Sequence, residues 1–308
     1  MRPLYIPGYH QGMFATRSSF DWRLRSRSLA LGERTLVMAI VNLTPDSFSG
    51  DGLAVQGMDA AVAAALSQLD AGADILDLGA ESTRPGATPV EAAAEQQRLL
   101  PVLEAILRER PEAVVSIDTY HAATALAAAE RGAEIINDVS GLTWDDKMAG
   151  VVAATGCGLV LMHTRGRFTE WKELPPLAPE ALLPLVRDGL REQIALAKAS
   201  GVAAGRIVLD PGFGFGKLGE ENFTLLARMD ALAALELPVL AGISRKGFLG
   251  AAVRHTQRAE LSLADARRTA TTAANVAAIL AGAHVLRVHE VQPAREGAAI
   301  ADKLLASG

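Results

Sequence analysis

Ile135-Ile136-Asn137-Asp138-Val139-Ser140-Gly141 (IINDVSG) begins like the inside of a sheet and then turns polar. Two β-branched residues give way to Asn and Asp with no alternation between apolar and polar. The segment therefore reads as a strand buried on both faces that ends in hydrogen-bonding groups. Taken alone, such an end is a strand stopping at a turn, because Asn, Asp and Gly favour turns. The same design recurs along the chain. Apolar runs rich in Val, Ile and Leu end at Asn42 (LVMAIVN), Gly79 (ADILDLG), Thr119 (AVVSIDT), Asp138 (AEIIND), His163 (GLVLMH), Gly212 (RIVLDPG), Ser244 (PVLAGIS) and Glu290 (HVLRVHE).

Between these runs lie Ala/Leu-rich segments with helical spacing, such as MDAAVAAALSQLDAGA, VEAAAEQQRLLPVLEAILRE and ARRTATTAANVAAILAGA. Several end in Gly-Ala directly before the next strand, at Gly72-Ala73, Gly132-Ala133 and Gly282-Ala283. A glycine after the last turn is a helix stop. Strand and helix thus alternate eight times within 308 residues, which favours a closed (β/α)8 TIM barrel, an α/β fold, over an open doubly wound sheet. No Pro/Gly/Ser-rich linker divides the chain, and ELPPLAPEALLP reads as a long loop after the fifth strand. One barrel domain over residues 35–308 is expected, preceded by an N-terminal extension over residues 1–34. Within that extension FDWRLRSRSLALGERT is a candidate for an extra strand pair closing the bottom of the barrel.

Bulk composition narrows the function. Half of the residues are hydrophobic, 21% are charged, and the formal net charge is −5. No basic face for nucleic acid is implied. No run of about 18 uncharged apolar residues is present, so no membrane span is expected, and the N-terminus lacks the apolar centre of a secretory signal. The single cysteine, Cys157, lies in an apolar run and reads as a small buried hydrophobe. A soluble protein of the reduced cytoplasm is the expectation.

In a (β/α)8 barrel the carboxyl ends of the strands build the active site. Those ends carry Asn42, Asp77, Asp118, Asn137, His163, Asp210, Ser244 with Lys246, and Arg287 with His289. Any one could be a turn residue or a satisfied buried group, and Asp77 could be structural. Eight strand ends mixing both charges with amides are hard to explain as turn chemistry. Asp118, Asn137, Asp210 and Lys246 supply acceptors, donors and a cation, enough to read the edge of a flat polar heterocycle; a carboxylate accepts two parallel N–H bonds from such an edge. Arg287, His289, Arg84, Ser82 and Thr83 form a second group suited to an anion such as phosphate. The Asn42 carbonyl is a suitable hard ligand for a Mg2+ already held by phosphates.

Other motifs fail. GFGFGK (212–217) is not the dinucleotide fingerprint, and the P-loop pattern breaks because Leu218 follows Lys217. His163 and His289 have no partner at zinc spacing, and Ser244 lacks the G-x-S-x-G context of a hydrolase nucleophile.

The chain closely resembles the dihydropteroate synthase family. NLTPDSFSGDG (42–52), DLGAESTRPGA (77–87), SIDT (116–119), INDVSG (136–141), LMH (161–163), LDPGFGFGK (209–217), GISRKGFLG (242–250) and LRVHEV (286–291) occur in the family's order. The resemblance implies transfer of a pterin from 6-hydroxymethyl-7,8-dihydropterin diphosphate to 4-aminobenzoate, releasing pyrophosphate and giving 7,8-dihydropteroate. Asp118, Asn137, Met162, Asp210 and Lys246 would then hold the pterin. Asn42, Thr83, Arg287 and His289 would hold the diphosphate, with Mg2+ as cofactor on Asn42. Thr83, Arg84, Pro85, Phe215, Ser244 and Lys246 would line the aminobenzoate pocket, and Lys246, Arg287 and Asp118 would carry the catalysis. The segments TPDSFSGDG and STRPGA correspond to two mobile loops, sulfonamides would compete with aminobenzoate, and a homodimer is implied. Departures are mild: Ala39 for a usual Gly, Gly50-Asp51-Gly52 for Asp-Gly-Gly, Thr164 for Met and Glu290 for Asp. Two rivals share the barrel, a methyltetrahydrofolate methyltransferase and a non-catalytic pterin-binding paralogue. The first has no need of a diphosphate cluster, and the second should have lost its anion ligands.

Overall fold

The computed structural model describes residues 17–43, 54–82, 87–254 and 263–307. Strands β3 (Leu36–Asn42), β4 (Ile75–Gly79), β5 (Val115–Asp118), β6 (Ile135–Asp138), β7 (Gly158–Met162), β8 (Ile207–Asp210), β9 (Val239–Ala241) and β10 (Ala283–Val288) are the expected runs. They close into a barrel in that order, with β10 returning to pair with β3; neighbouring strands are parallel, as in Met38 against Ile75 and Asn137 against Val160. Helices α1 (Ala54–Asp70), α2 (Ala92–Glu109), α3 (Ala122–Glu130), α4 (Met148–Thr155), α5 (Pro179–Ala199), α6 (Glu221–Ala227), α7 (Gly247–Ala252), α8 (Leu263–Leu280) and α9 (Val291–Ala306) form the outer ring. Gly72, Gly132 and Gly282 take the left-handed conformation just past α1, α3 and α8, as the Gly-Ala steps predict.

Strand side chains alternate between two cores. Leu76, Leu78, Ile117, Ile136, Leu159, Leu161 and Leu209 point outward and pack under the helices. Met38, Ile75, Ile135, Val160, Val208, Leu240 and Val285 point inward and fill the lower barrel. Because the side-chain period is two, the phase set by this inner layer fixes what comes next towards the mouth. It brings in Asp77 after Ile75, Asn137 after Ile135, Met162 after Val160, Asp210 after Val208 and Arg287 after Val285.

The bottom is sealed by the strand pair expected in the extension. β1 (Phe20–Arg23) and β2 (Ser28–Leu31) form an antiparallel hairpin, Trp22 opposite Leu29. Trp22, Leu24 and Leu31 join the inner core, and the Trp22 indole donates to the Arg206 carbonyl at 2.9 Å. The contact is so close that a Cβ on Gly158, the first residue of β7, would lie 2.7 Å from Leu24 Cδ2. Residues 1–16 of the extension lie outside the described residues.

His284 belongs to the same end. The Val239 N–H donates to its Nδ1 at 3.2 Å and its Nε2 meets the Ser18 carbonyl at 3.0 Å, an arrangement that needs the neutral ring. Burial lowers its pKa to about 4. The unfolded chain, with an ordinary histidine, takes up a proton below pH ~6.5 that the folded state refuses. Stability attributable to His284 is therefore lost as pH falls from ~6.5 through 4. His284→Asn, which keeps an acceptor for Val239, is expected to lose less stability than wild type over that window, by up to about 3 kcal/mol from the size of the shift. Denaturant titrations of both proteins at pH 7.5 and 4.5 check this; parallel losses would assign the acid sensitivity elsewhere.

Candidate active site

The inward residues above the apolar layer form one connected network. Arg287 Nε donates to Asp77 Oδ2 at 2.6 Å and Arg287 Nη2 to Asp118 Oδ2 at 2.5 Å. Asn137 Nδ2 donates to the same Asp77 oxygen at 3.1 Å. Asp77 is fully buried, while the side chains of Asp118 and Arg287 retain 20% and 18% exposure towards the mouth. Burial works against the Arg287 cation, but Asp77 and Asp118 more than offset it and raise its pKa. Burial likewise pushes the Asp118 carboxyl up, with Arg287 opposing.

Asp210 sits at the end of β8 and is almost wholly buried. It accepts the Gly212 N–H at 2.7 Å. Burial raises its pKa against that bond and the nearby Lys246 and Arg287 charges. Lys246 lies at the start of α7, its Nζ 4.0 Å from the centre of the Phe215 ring. Burial, then Arg287, lowers its pKa. A cation held over an aromatic face beside a buried carboxyl is chemically suited to a flat polar molecule. Behind them Lys217 is no phosphate ligand: its Nζ donates to the carbonyls of His163, Gly212 and Phe215 at 3.1, 2.9 and 3.3 Å. It knits the 212–217 turn together, and burial lowers its pKa to about 7.

Ser244 and His289 meet at the rim, His289 Nδ1 lying 3.0 Å from Ser244 Oγ. Asn42 stands exposed at the end of β3, in register with Gly79, which in turn is in register with Asp118. Gly79 carries no side chain, and a Cβ there would lie 3.3 Å from Asp118 Cβ, so its place in this row is kept clear beside Asp118.

Met162 is buried in an apolar cluster with Tyr120, Val139, Phe168 and Trp171, flanked by Trp144 and Phe215. Their rings form a continuous wall: Tyr120–Trp144 at 5.0 Å, Trp144–Phe168 at 5.8 Å, Phe168–Trp171 at 6.5 Å and Trp171–Phe215 at 5.0 Å between centroids. The sequence reading missed this wall. Its only trace is a pair of aromatics in an otherwise polar loop, GRFTEWKEL.

Two readings of the sequence need correction. His163 ends a strand but does not face the mouth. Met162 takes the inward phase, so His163 points the other way, against α5, where a Cβ on Gly189 would lie 2.7 Å from its ring; burial lowers its pKa to about 2. The two ligand groups are also not separate, because Arg287, placed with the anion ligands, is bound to Asp77 and Asp118. Thr83, Arg84 and Pro85, and the segment 44–53, lie outside the described residues.

A closed parallel barrel with buried carboxylates, an amide, an arginine and a lysine at its carboxyl mouth is the arrangement of an enzyme acting on a small polar molecule. The chain belongs to the pterin-binding enzyme family, matching it over residues 38–289. Among its relatives are the dihydropteroate synthases of Synechocystis sp., 37% identical over 92% of both chains, and of Escherichia coli, 38% identical over 88% of this chain and 92% of that one. Among solved structures, the Xanthomonas albilineans dihydropteroate synthase with 4-aminobenzoic acid is 36% identical, covers 94% of this chain and 99% of its own, and superposes with a TM-score of 0.83. The Yersinia pestis dihydropteroate synthase with a sulfonamide drug is 35% identical, covers 93% and 100%, and gives the same TM-score of 0.83. The chain has dihydropteroate synthase function, a transferase activity of folate synthesis.

Proposed function

We propose that the mouth residues divide the reaction as follows. Asp210, Asn137 and Asp118 take the N–H edge and ring heteroatoms of 6-hydroxymethyl-7,8-dihydropterin diphosphate, with Met162 against the ring and Lys246 at its rim. Arg287, His289 and Asn42 hold the diphosphate, joined by Thr83. Phe215, Ser244 and Lys246 hold 4-aminobenzoate, joined by Thr83, Arg84 and Pro85. The observation that carries this reading is the buried Asp77–Arg287–Asp118 arrangement beside Asp210, which sets a fixed cation next to carboxylates able to accept paired N–H bonds.

The carbon–oxygen bond to pyrophosphate breaks first, its electron pair leaving with pyrophosphate, and the amine nitrogen then attacks the exocyclic pterin carbon. One amine proton is released after attack, so no strong base is needed. Arg287 stabilises charge on the leaving group, and Lys246 and Asp118 take part in holding the reacting pterin. The aromatic wall beside Phe215 limits water at the reacting carbon. Asn42 offers one hard oxygen ligand, which fits a Mg2+ held chiefly by the diphosphate rather than by a protein cage. When bound, Mg2+ would offset the charge of the departing pyrophosphate.

The homodimer and the cytoplasmic location belong to the same reading. Ile300 and Leu304 on α9 are exposed large apolar side chains suited to a partner surface. Among the described residues no helix is long and apolar enough to cross a membrane.

Pyrophosphate release by the purified protein with pterin diphosphate, 4-aminobenzoate and Mg2+ tests the proposal. Release is expected to require aminobenzoate and Mg2+ and to fall when a sulfonamide is added. Pterin diphosphate binding without any release would refute the proposal.

A further inference from the structure

Asp77 remains to be accounted for. It lies one pleat below the strand end: β4 continues to Gly79, which occupies the row of Asn42 and Asp118. Asp77 is fully buried, and its Oδ1 is buried without a partner among the described residues. Its other oxygen, Oδ2, receives both Arg287 Nε and Asn137 Nδ2.

A purely structural part is a poor account of this arrangement. A buried ion pair is seldom worth more than apolar packing of the same volume, and apart from the buried Ser116 beside it the inner core below is built of apolar side chains such as Ile75, Met38 and Val285. A carboxylate here makes a specific difference elsewhere. Its bond to Nε fixes the plane of the Arg287 guanidinium so that Nη2 meets Asp118. Its bond to Nδ2 fixes which way the Asn137 amide faces, leaving the amide carbonyl free to turn to the mouth.

We infer that Asp77 is a positioning residue that aims Asn137 on the pterin side and Arg287 on the diphosphate side through one shared oxygen. This rests on the ligand assignments proposed above. It predicts coupling: the loss caused by removing Asp77 must vanish once the side chain it aims is gone.

Binding of 6-hydroxymethylpterin, which lacks the diphosphate, and of inorganic pyrophosphate separates the two arms by calorimetry. Asp77→Ala is expected to weaken the pterin about tenfold, the effect of losing one supporting hydrogen bond, and to weaken it no further in an Asn137→Ala background. It is likewise expected to weaken pyrophosphate about tenfold alone and not at all in an Arg287→Ala background. Asp77→Asn, nearly isosteric and still an acceptor, should recover part of both losses, and it replaces Asp77→Ala in the cycles should the latter not fold. Equal losses in both backgrounds, or no loss in either arm, overturn the inference. If Asn137→Ala alone binds the pterin normally, the Asn137 assignment fails instead, and the pyrophosphate cycle decides the role of Asp77.

Discussion

Asp210→Ala is expected to abolish measurable pterin binding while leaving the barrel folded. The wild-type carboxyl can take two N–H bonds from the ring edge. Each bond to a charged acceptor is worth roughly 1.5–3 kcal/mol, so the pair corresponds to roughly two to four orders of magnitude in affinity. The barrel survives because the side chain stands above the apolar layer, and its one hydrogen bond among the described residues is to the Gly212 N–H. Losing that partner costs about 1–3 kcal/mol, but a buried carboxyl is removed at the same time. The sign of the pH effect follows. Burial raises the folded-state pKa of Asp210, so wild type loses stability from this group as pH rises through that value, and the variant does not. The melting temperature of Asp210→Ala relative to wild type should therefore be more favourable at pH 8 than at pH 5. Undiminished binding of 6-hydroxymethylpterin by the variant would remove Asp210 from the pterin site.

Arg287→Ala should do more damage than the loss of a single ligand. Sequence reasoning places Arg287 with the anion ligands, so its removal would weaken diphosphate binding most and pterin binding least. The structure gives a different expectation, because Arg287 is the counter-charge to both Asp77 and Asp118. Without it a fully buried carboxylate and a largely buried one lie close together, and breaking such a pair costs about 3–5 kcal/mol. Asp118, already pushed up by burial, loses the Arg287 charge that opposes that rise and holds its proton to higher pH, so the stability this group contributes to the variant is fullest in acid and is lost as pH rises through the raised value. Pyrophosphate affinity should fall sharply and pterin affinity should fall with it, since Asp118 loses its orientation. Arg287→Lys should rescue poorly, because one ammonium cannot bridge two carboxylates as the planar guanidinium does. A variant as stable as wild type at pH 8 would show that the buried pair contributes nothing.

The fold was legible because its signals are periodic. Apolar runs such as ILDLG and IVLD recur at every unit of the barrel, separated by helical segments, three of which end in Gly-Ala stops. The mouth was legible only in part. Asn137, Asp118, Asp210 and Arg287 stand out as polar residues closing apolar runs, and the inner phase does bring them together. His163 was misread because strand end was used where strand phase decides; counting in twos from Val160 selects Met162. Asp77 was set aside because a polar residue inside a run carries no sign of which neighbour it serves. Nothing periodic announces Trp144, Phe168 or Trp171, whose wall with Tyr120 and Phe215 is assembled from four different connections. The pairing of Arg287 with Asp77 spans 210 residues of chain and depends on the closure of β10 onto β3, which no local pattern contains.

The hairpin plug has a consequence for traffic. With Trp22, Leu24 and Leu31 filling one end of the barrel, both substrates and both products must share a single doorway. Asn137 and Asp210 are buried, whereas Phe215 is partly exposed. On the ligand assignments proposed above, a molecule seated over Phe215 and Lys246 stands between the pterin and the solvent. Those assignments make entry a queue: the pterin would go in first, the arylamine would shut it in, and the joined product would have to back out by the way its halves arrived.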